Sequence, residues 1–484
     1  MKTMWKLTAA LLSLSLLAGA VPFSAAAADE GTEPEVMTAT VKLNETSATA
    51  TGDNVTVDGS VITITASGSY EFSGTLTDGQ INVNVPDTKK DANTVKLFFK
   101  GVTITGVNAP AVMVNNAKNT SINLVADTEN FLYDGDNPYR TSTGLSFANN
   151  AVIFSKDDIT IKGDGSLRIE ATQNHGIHSN NDLKITGGKL KVKTTGTKIQ
   201  DGDSSEKFAD GIRGKESVQI KGGDIDINAN GDGIKSTKGY VSISDGEIEV
   251  KASNDAIQAE DNIIKDGETI KAIEISGGRL KANGDRSLTV SKPSSVITNP
   301  DEAGETTFIS ITGGNVFATA TDGQPTLLDA TQPVLELNFK EEQLKDLELA
   351  ISKDTETLFS RKSDKRFSFA LISFPELTAD TEYELTLDGK LIMANDVAVV
   401  KIKAENGVTV IDNVSVSAPE KFNGDIDGDG RTAIGDAILM CRYIAEDKEA
   451  YVSPEGIALM DFNHDTYVTS EDTQVLLCYL AGVI

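Results

Sequence analysis

Two stretches near the C-terminus place oxygen ligands at the spacing a hard cation requires. In the segment 425–436, Asp425, Asp427, Asp429 and Asp436 stand at the first, third, fifth and twelfth places, and Gly430 permits the bend between them. The chemistry is that of Ca2+ held by carboxylates. The pattern returns 36 residues later with Asp461, Asn463, Asp465 and Asp472. Thr466 stands where the second loop must bend, and a β-branched residue is strained at positive φ, so the second site is expected to be the weaker. The apolar runs Ile438–Ile444 and Val475–Leu480 follow the two loops and read as helices, with Ile438, Met440 and Tyr443 packing against Leu476, Leu477 and Leu480.

A second set of carboxylates recurs at a longer interval. Asp210, Asp232 and Asp255 occupy equivalent places in successive repeats. On neighbouring strands about 4.8 Å apart they would form a file in which like charge is costly. Calcium–oxygen distances of about 2.3–2.6 Å would let one ion bridge two such neighbours. Asp201, Asp203 and Glu206, in the insert before Asp210, could add ligands. The competing reading is that each aspartate closes a turn by hydrogen-bonding its own backbone.

Beside this file runs another, His178, Arg213, Lys235 and Gln258, which alternation points outward. Calcium next to a Lys or Arg is what a lyase acting on uronates needs: the metal acidifies the C5 proton and the basic side chain removes it. Arg213 and Lys235 are equally the candidate contacts for a bound sugar, or rungs of a salt-bridged ladder. The sequence fixes no base, and it holds no serine-nucleophile motif, zinc spacing or phosphate loop.

The elements that must position these residues repeat between Ile159 and Val290. An apolar alternation recurs as Ile159/Ile161, Leu183/Ile185, Val218/Ile220, Val241/Ile243 and Ile273/Ile275, and later as Ile309/Ile311. A glycine turn follows each, then a second alternation (Leu167/Ile169, Leu190/Val192, Ile225/Ile227, Ile248/Val250), then a line of the form Asp-Gly-Ile. A period of about 23 residues, with three period-two segments and no helical pattern, predicts stacked strands in a parallel β-helix. One such turn cannot bury its apolar row alone, so stacking makes the core.

Composition bounds the rest. The chain carries 44 Lys and Arg against 72 Asp and Glu, a formal charge of -28, which excludes nucleic acid as a ligand. Met1–Ala28 reads as a secretory signal whose removal takes the charge to about -30, and no later stretch reads as a membrane span. The single tryptophan, Trp5, leaves with that signal, so stacking on a sugar would fall to Tyr or Phe. Cys441 and Cys478 are the two cysteines, too few for a disulfide framework. The expected organisation is a signal (1–28), a leader (29–54), a parallel β-helix (55–330), a C-terminal β extension (331–403), a linker (404–422) and the calcium-loop module (423–484).

The succession GSYEFSGTLTDGQ (68–80), ADGIRGK (209–215) and GDGIKS (231–236) resembles a clostridial family of secreted carbohydrate-binding proteins related in shape to pectate lyases. The resemblance spans about Val55 to Lys403. It implies a mainly β fold, a right-handed parallel β-helix, and binding of plant cell-wall polysaccharide such as cellulose or polygalacturonate. It also leads to aspartate where His175 stands. The paired calcium loops, each followed by one helix, resemble the dockerin module of cellulosomal enzymes, which binds cohesin domains of a scaffold protein. That resemblance places the cohesin contacts at Ile434, Gly435, Cys441 and Arg442 in one half and at Ser470 and Glu471 in the other. The reading is a secreted, non-catalytic polysaccharide-binding protein docked on a scaffold. The alternatives are a calcium-dependent pectate lyase and a surface adhesin or spacer.

Overall fold

The computed structural model describes residues 35–136, 139, 150–196, 199–200, 206–291, 307–322, 328–394, 399–401, 407–416, 424–462 and 467–481. The expected signal segment, and Asp201, Asp203, Asn463 and Asp465 of the expected metal sites, lie outside the described residues.

The apolar rows of the repeat pair in register. Ile159, Leu183, Val218, Val241, Ile273 and Ile309 are successive partners on parallel strands. Leu167, Leu190, Ile225, Ile248, Leu280 and Val316 form a second ladder. Ile153, Ile177, Ile212, Ile234, Ile257 and Leu288 form a third. All these side chains are buried in one continuous core. The middle glycine of the Asp-Gly-Ile lines is a packing requirement. A Cβ on Gly233 would lie 2.2 Å from Val250 Cγ1 and 2.7 Å from the Ala256 carbonyl oxygen.

The fold expected from the repeat, a right-handed parallel β-helix, is corrected by the sheet topology. The chain is mainly β, but among the described residues its strands join into one 25-stranded mixed sheet, a 10-stranded one and two two-stranded ribbons. The rows expected on either side of a glycine turn fuse into single strands, Ser217–Ala229 and Tyr240–Ala252, with register shifts around Lys221. Gly223 (φ +101) and Gly246 (φ +113) act there as bulges inside a strand. At the N-terminal end Ala39–Glu45 pairs antiparallel with Ser47–Gly52, and Val55–Asp58 with Val61–Ile64. At the other end Asn315–Ala320 pairs antiparallel with Phe367–Ser373. Alternation reports which face a strand buries, not the direction of its partner, so this mixing is invisible in the pattern.

Two boundaries move with it. The stretch expected as a leader holds the strands Ala39–Glu45 and Ser47–Gly52. The stretch expected as a linker holds Val408–Val416, paired in parallel with Val334–Gln343. The strands from Val334 onward enclose a core of their own around Leu335, Phe359, Phe374, Tyr383 and Leu385. The opposite face of the same strands, with Val334, Phe369 and Leu371, joins the main core.

Among the described residues three helices close the chain: α1 (Ile434–Ile444), α2 (Pro454–Ala458) and α3 (Ser470–Leu480). Ile426, Ala437, Met440, Met460 and Leu476 form their core, with Tyr443 and Leu480 partly buried against it. Ile438 and Leu477, expected in that core, are instead 56% and 43% exposed.

Candidate functional site

The third ladder carries the predicted polar files along its edge. Register pairs His178 with Arg213, Arg213 with Lys235 and Lys235 with Gln258, as equivalence of the repeats requires. Asp210, Asp232 and Asp255 are buried beside them. Each carboxylate bonds neither its own turn nor, among the described residues, a neighbouring carboxylate cluster. Asp210 Oδ1 accepts the Asp232 amide at 3.0 Å, and Asp232 Oδ1 accepts the Asp255 amide at 3.1 Å and Asn254 Nδ2 at 2.6 Å. The turn-closing alternative is therefore right about backbone amides but wrong about whose they are.

The remaining oxygens face cations of the chain. Lys235 donates to Asp232 Oδ2, and Arg286 donates to both oxygens of Asp255 at 2.6 and 2.9 Å. Gln258 donates to Asp255 as well. Asp210 Oδ2 lies 3.5 Å from Arg213 and 3.6 Å from His175. A calcium ion on this file would have to displace Lys235 or Arg286. Burial, and then the neighbouring carboxylate, hold Asp232 and Asp255 above the usual carboxylate range. For Lys235 burial works downward, but the fields of Asp210 and Asp232 outweigh it and keep the ammonium above its usual value.

His175 takes the aspartate's structural part. Its Nδ1 accepts the Asp210 amide at 2.7 Å, the same inter-repeat bond that Asp210 makes to Asp232. Arg286 continues the file in register with Asp255. No motif marks it, because the Asp-Gly-Ile line has dissolved by that repeat.

Above Asp210 and Asp232 opens a pocket of about 560 Å³ lined by Phe208, Asn230, Lys235, Ser253, Asn254 and Asp285 together with these two carboxylates. Phe208 is 51% exposed. Asp285 also meets Lys365 at 2.8 Å. Of the predicted residues, Asp210, Asp232 and Lys235 come together here. Arg213 and Asp255 do not line it. Phe208, Asn230, Asn254 and Asp285 were missed, although a polar residue one or two places before the file aspartate (Asn230, Asn254) recurs in the sequence.

In the C-terminal module, Asp425, Asp427 and Asp429 offer carboxylate oxygens all within 4.8 Å of one another, the one such group among the described residues. An all-oxygen set with Gly430 at φ +88 fits Ca2+. Asp436 is buried, and its oxygens accept the amides of Ile426 (2.7 Å), Asp427 (3.1 Å) and Ala433 (2.8 Å), which ties the loop to the start of α1. Asp472 repeats this in the second half, accepting from Phe462 (2.9 Å) and Thr469 (2.8 Å). Ile434, Gly435, Cys441, Ser470 and Glu471 are exposed, and Arg442 is half-buried and paired with Asp447 at 2.8 Å. Ile438 lies between Ile434 and Cys441 on one exposed stripe of α1, a contact candidate that the sequence had assigned to the core.

Comparison with known proteins supports both halves. A family model described as carbohydrate-binding domain-containing protein matches residues 58–325, and the dockerin type I domain matches residues 423–481. A carbohydrate-binding domain-containing protein of Acetivibrio thermocellus is 40% identical over 141 residues, 29% of this chain and 48% of that protein. The chain thus spans about half the length of this relative. A solved structure described as the polysaccharide lyase-like protein from C. thermocellum, a gadolinium derivative, is 31% identical. It covers 53% of this chain and 92% of its own, at a TM-score of 0.39, too low to fix a fold.

Proposed function

Since the chain belongs to the family of carbohydrate-binding-domain proteins and carries a C-terminal type I dockerin domain, we propose that it is a non-catalytic polysaccharide-binding component of a cellulosome, working outside the cell. The β domain holds plant cell-wall polysaccharide, and the dockerin, ordered by calcium, docks on a scaffold cohesin. No helix among the described residues is long and apolar enough to cross a membrane.

The observation that carries the binding reading is the pocket over Asp232. Phe208 offers a sugar ring an exposed aromatic face, and the amides of Asn230 and Asn254 with Asp285 and Lys235 offer donors and acceptors for hydroxyls. The same site argues against lyase chemistry. A lysine must first lose its proton to act as a base, and Lys235 is ion-paired to Asp232 with its ammonium held above the usual lysine range by two carboxylates. Arg213, the other candidate, sits against His175 and Asp210.

The test uses the full chain. Retention on insoluble plant polysaccharide should fall about fivefold in Phe208→Ala. Incubation with polygalacturonate and calcium should give no rise in absorbance from an unsaturated product. A sustained rise abolished by Lys235→Met would overturn the non-catalytic reading.

A further inference from the structure

One wall of the pocket over Asp232 is held from outside the repeats. Asp285 stands next to Asn254 in the following repeat, with its amide on the Asn254 carbonyl at 2.8 Å, and both line the pocket. Lys365 reaches Asp285 from the turn between Glu356–Lys362 and Phe367–Ser373, strands of the C-terminal β unit beyond the matched residues 58–325. Its ammonium donates to Asp285 Oδ1 at 2.8 Å and to the Ala252 carbonyl oxygen at 2.7 Å, just before the pocket residues Ser253 and Asn254.

The turn that carries Lys365 is itself fixed to the repeats. The Asp364 amide donates to Asn283 Oδ1 at 2.8 Å, and the Asp364 carboxylate meets Lys281 at 2.7 Å. The buried Ser363 hydroxyl bonds the Thr319 hydroxyl at 2.8 Å and donates to the Lys365 carbonyl at 2.9 Å. An anchored backbone therefore delivers the ammonium. Asp232 and Asp285 are each answered by one lysine, Asp232 by Lys235 of its own repeat and Asp285 by Lys365 from the unit beyond. With Oδ1 tied, Asp285 keeps Oδ2, which has no partner among the described residues. An acceptor whose orientation is already fixed binds a sugar hydroxyl without first losing side-chain freedom.

We propose that Lys365 is a positioning residue of the polysaccharide site: it holds Asp285 as an oriented acceptor in the pocket wall, so that the binding unit includes the turn 363–366 of the C-terminal β unit. The inference rests on reading this pocket as the polysaccharide site, and it adds a residue that acts on the sugar only through another.

Depletion assays with the full chain on microcrystalline cellulose and on calcium polygalacturonate gel test it, read on whichever of the two retains the parent more. Lys365→Met, and Lys365→Gln beside it, should weaken retention about three- to tenfold, and Lys365→Arg should restore it. In an Asp285→Asn background the same Lys365→Met change should cost nothing further, because its effect passes through Asp285. Parental retention by Lys365→Met, or an equal loss in both backgrounds, would overturn the proposal. If Phe208→Ala weakens retention while Lys365→Met does not, this inference alone fails. Retention of the parent by neither polymer would sink the reading of the pocket with it.

Discussion

Asp210 Oδ1 accepts the backbone amide of Asp232 at 3.0 Å, across two successive repeats. A side chain of one repeat thereby completes the backbone hydrogen bonding of the next, at the sheet edge where the strand Ile212–Gly214 has not yet begun. The relation recurs from Asp232 to Asp255 and, with an imidazole as acceptor, from His175 to Asp210. The carboxylates that look like a metal file are first of all the mortar between repeats. Their charge is answered by Lys235 and Arg286.

Asp232→Ala should therefore cost more than a surface charge would. It leaves the Asp255 amide and the half-buried Lys235 ammonium without their acceptor, and breaking one side of a pair built on a buried carboxylate typically costs about 3–5 kcal/mol. Asp232→Asn keeps an amide oxygen for the Asp255 N–H and should cost about half as much. Chemical denaturation of the two variants and the parent at pH 7 separates them. Equal stability of the Ala and Asn variants would show that the inter-repeat bond contributes little.

Glu336 makes stability depend on pH. It is buried on Val334–Gln343, its Oε1 has no hydrogen-bond partner among the described residues, and burial followed by the field of Asp412 pushes its carboxyl from 4.5 up to about 7. Since the folded form holds the proton more tightly than the unfolded one, its contribution is fully present below pH 4.5 and is lost as pH rises to about 7. The loss is at most about 3 kcal/mol. Denaturant midpoints measured at pH 5 and pH 8 should fall by less in Glu336→Gln than in the parent. A pH slope unchanged by the substitution would assign the dependence to other groups.

What the sequence disclosed follows from what periodicity encodes. A repeat with fixed apolar places determines which residues pair, and Ile177, Ile212, Ile234 and Ile257 stand opposite one another as the alignment of repeats requires. It is silent on strand direction, which is why the antiparallel pairs at both ends and the fused strands were not legible. It also reads a residue type without its partner. Arg286 has no motif around it, yet it neutralises Asp255. Phe208 lies in an insert with no periodicity, so nothing marked it as a wall of the pocket. The cluster of Asp425, Asp427 and Asp429 was legible because a local pattern of carboxylates needs no knowledge of the fold.

Ile438 tests the docking face. It is 56% exposed on α1 between Ile434 and Cys441, and an apolar side chain left open on a small helical module is a candidate to be covered by the partner. Ile438→Asp should weaken capture on an immobilised type I cohesin by about tenfold or more, the scale of a central contact, while leaving calcium affinity unchanged. Capture equal to that of the parent would remove Ile438 from the interface.

Calcium removal should unfold the C-terminal helices while sparing the strands. Among the described residues the module's core is five buried side chains, Ile426, Ala437, Met440, Met460 and Leu476, with partly buried neighbours, too few to offset ordering about 60 residues. Against it stands the repulsion of Asp425, Asp427 and Asp429, whose oxygens lie within 4.8 Å of one another. A bound divalent cation removes that repulsion, so metal binding and helix formation become one equilibrium. The network around Asp436 and Asp472 gives the coupling its route, since each joins its loop to the first turn of the helix that follows. Chelation of the full chain should thus lower the helical circular dichroism and abolish cohesin capture, with the β signal retained. Titration with calcium should restore both together. Asp425→Ala should shift that titration further than Asp461→Ala, because Thr466 stands in the second loop at the place that Gly430 holds in the first. A helical signal indifferent to chelator, or the reverse order of the two variants, would show that the first loop does not govern the fold of the module.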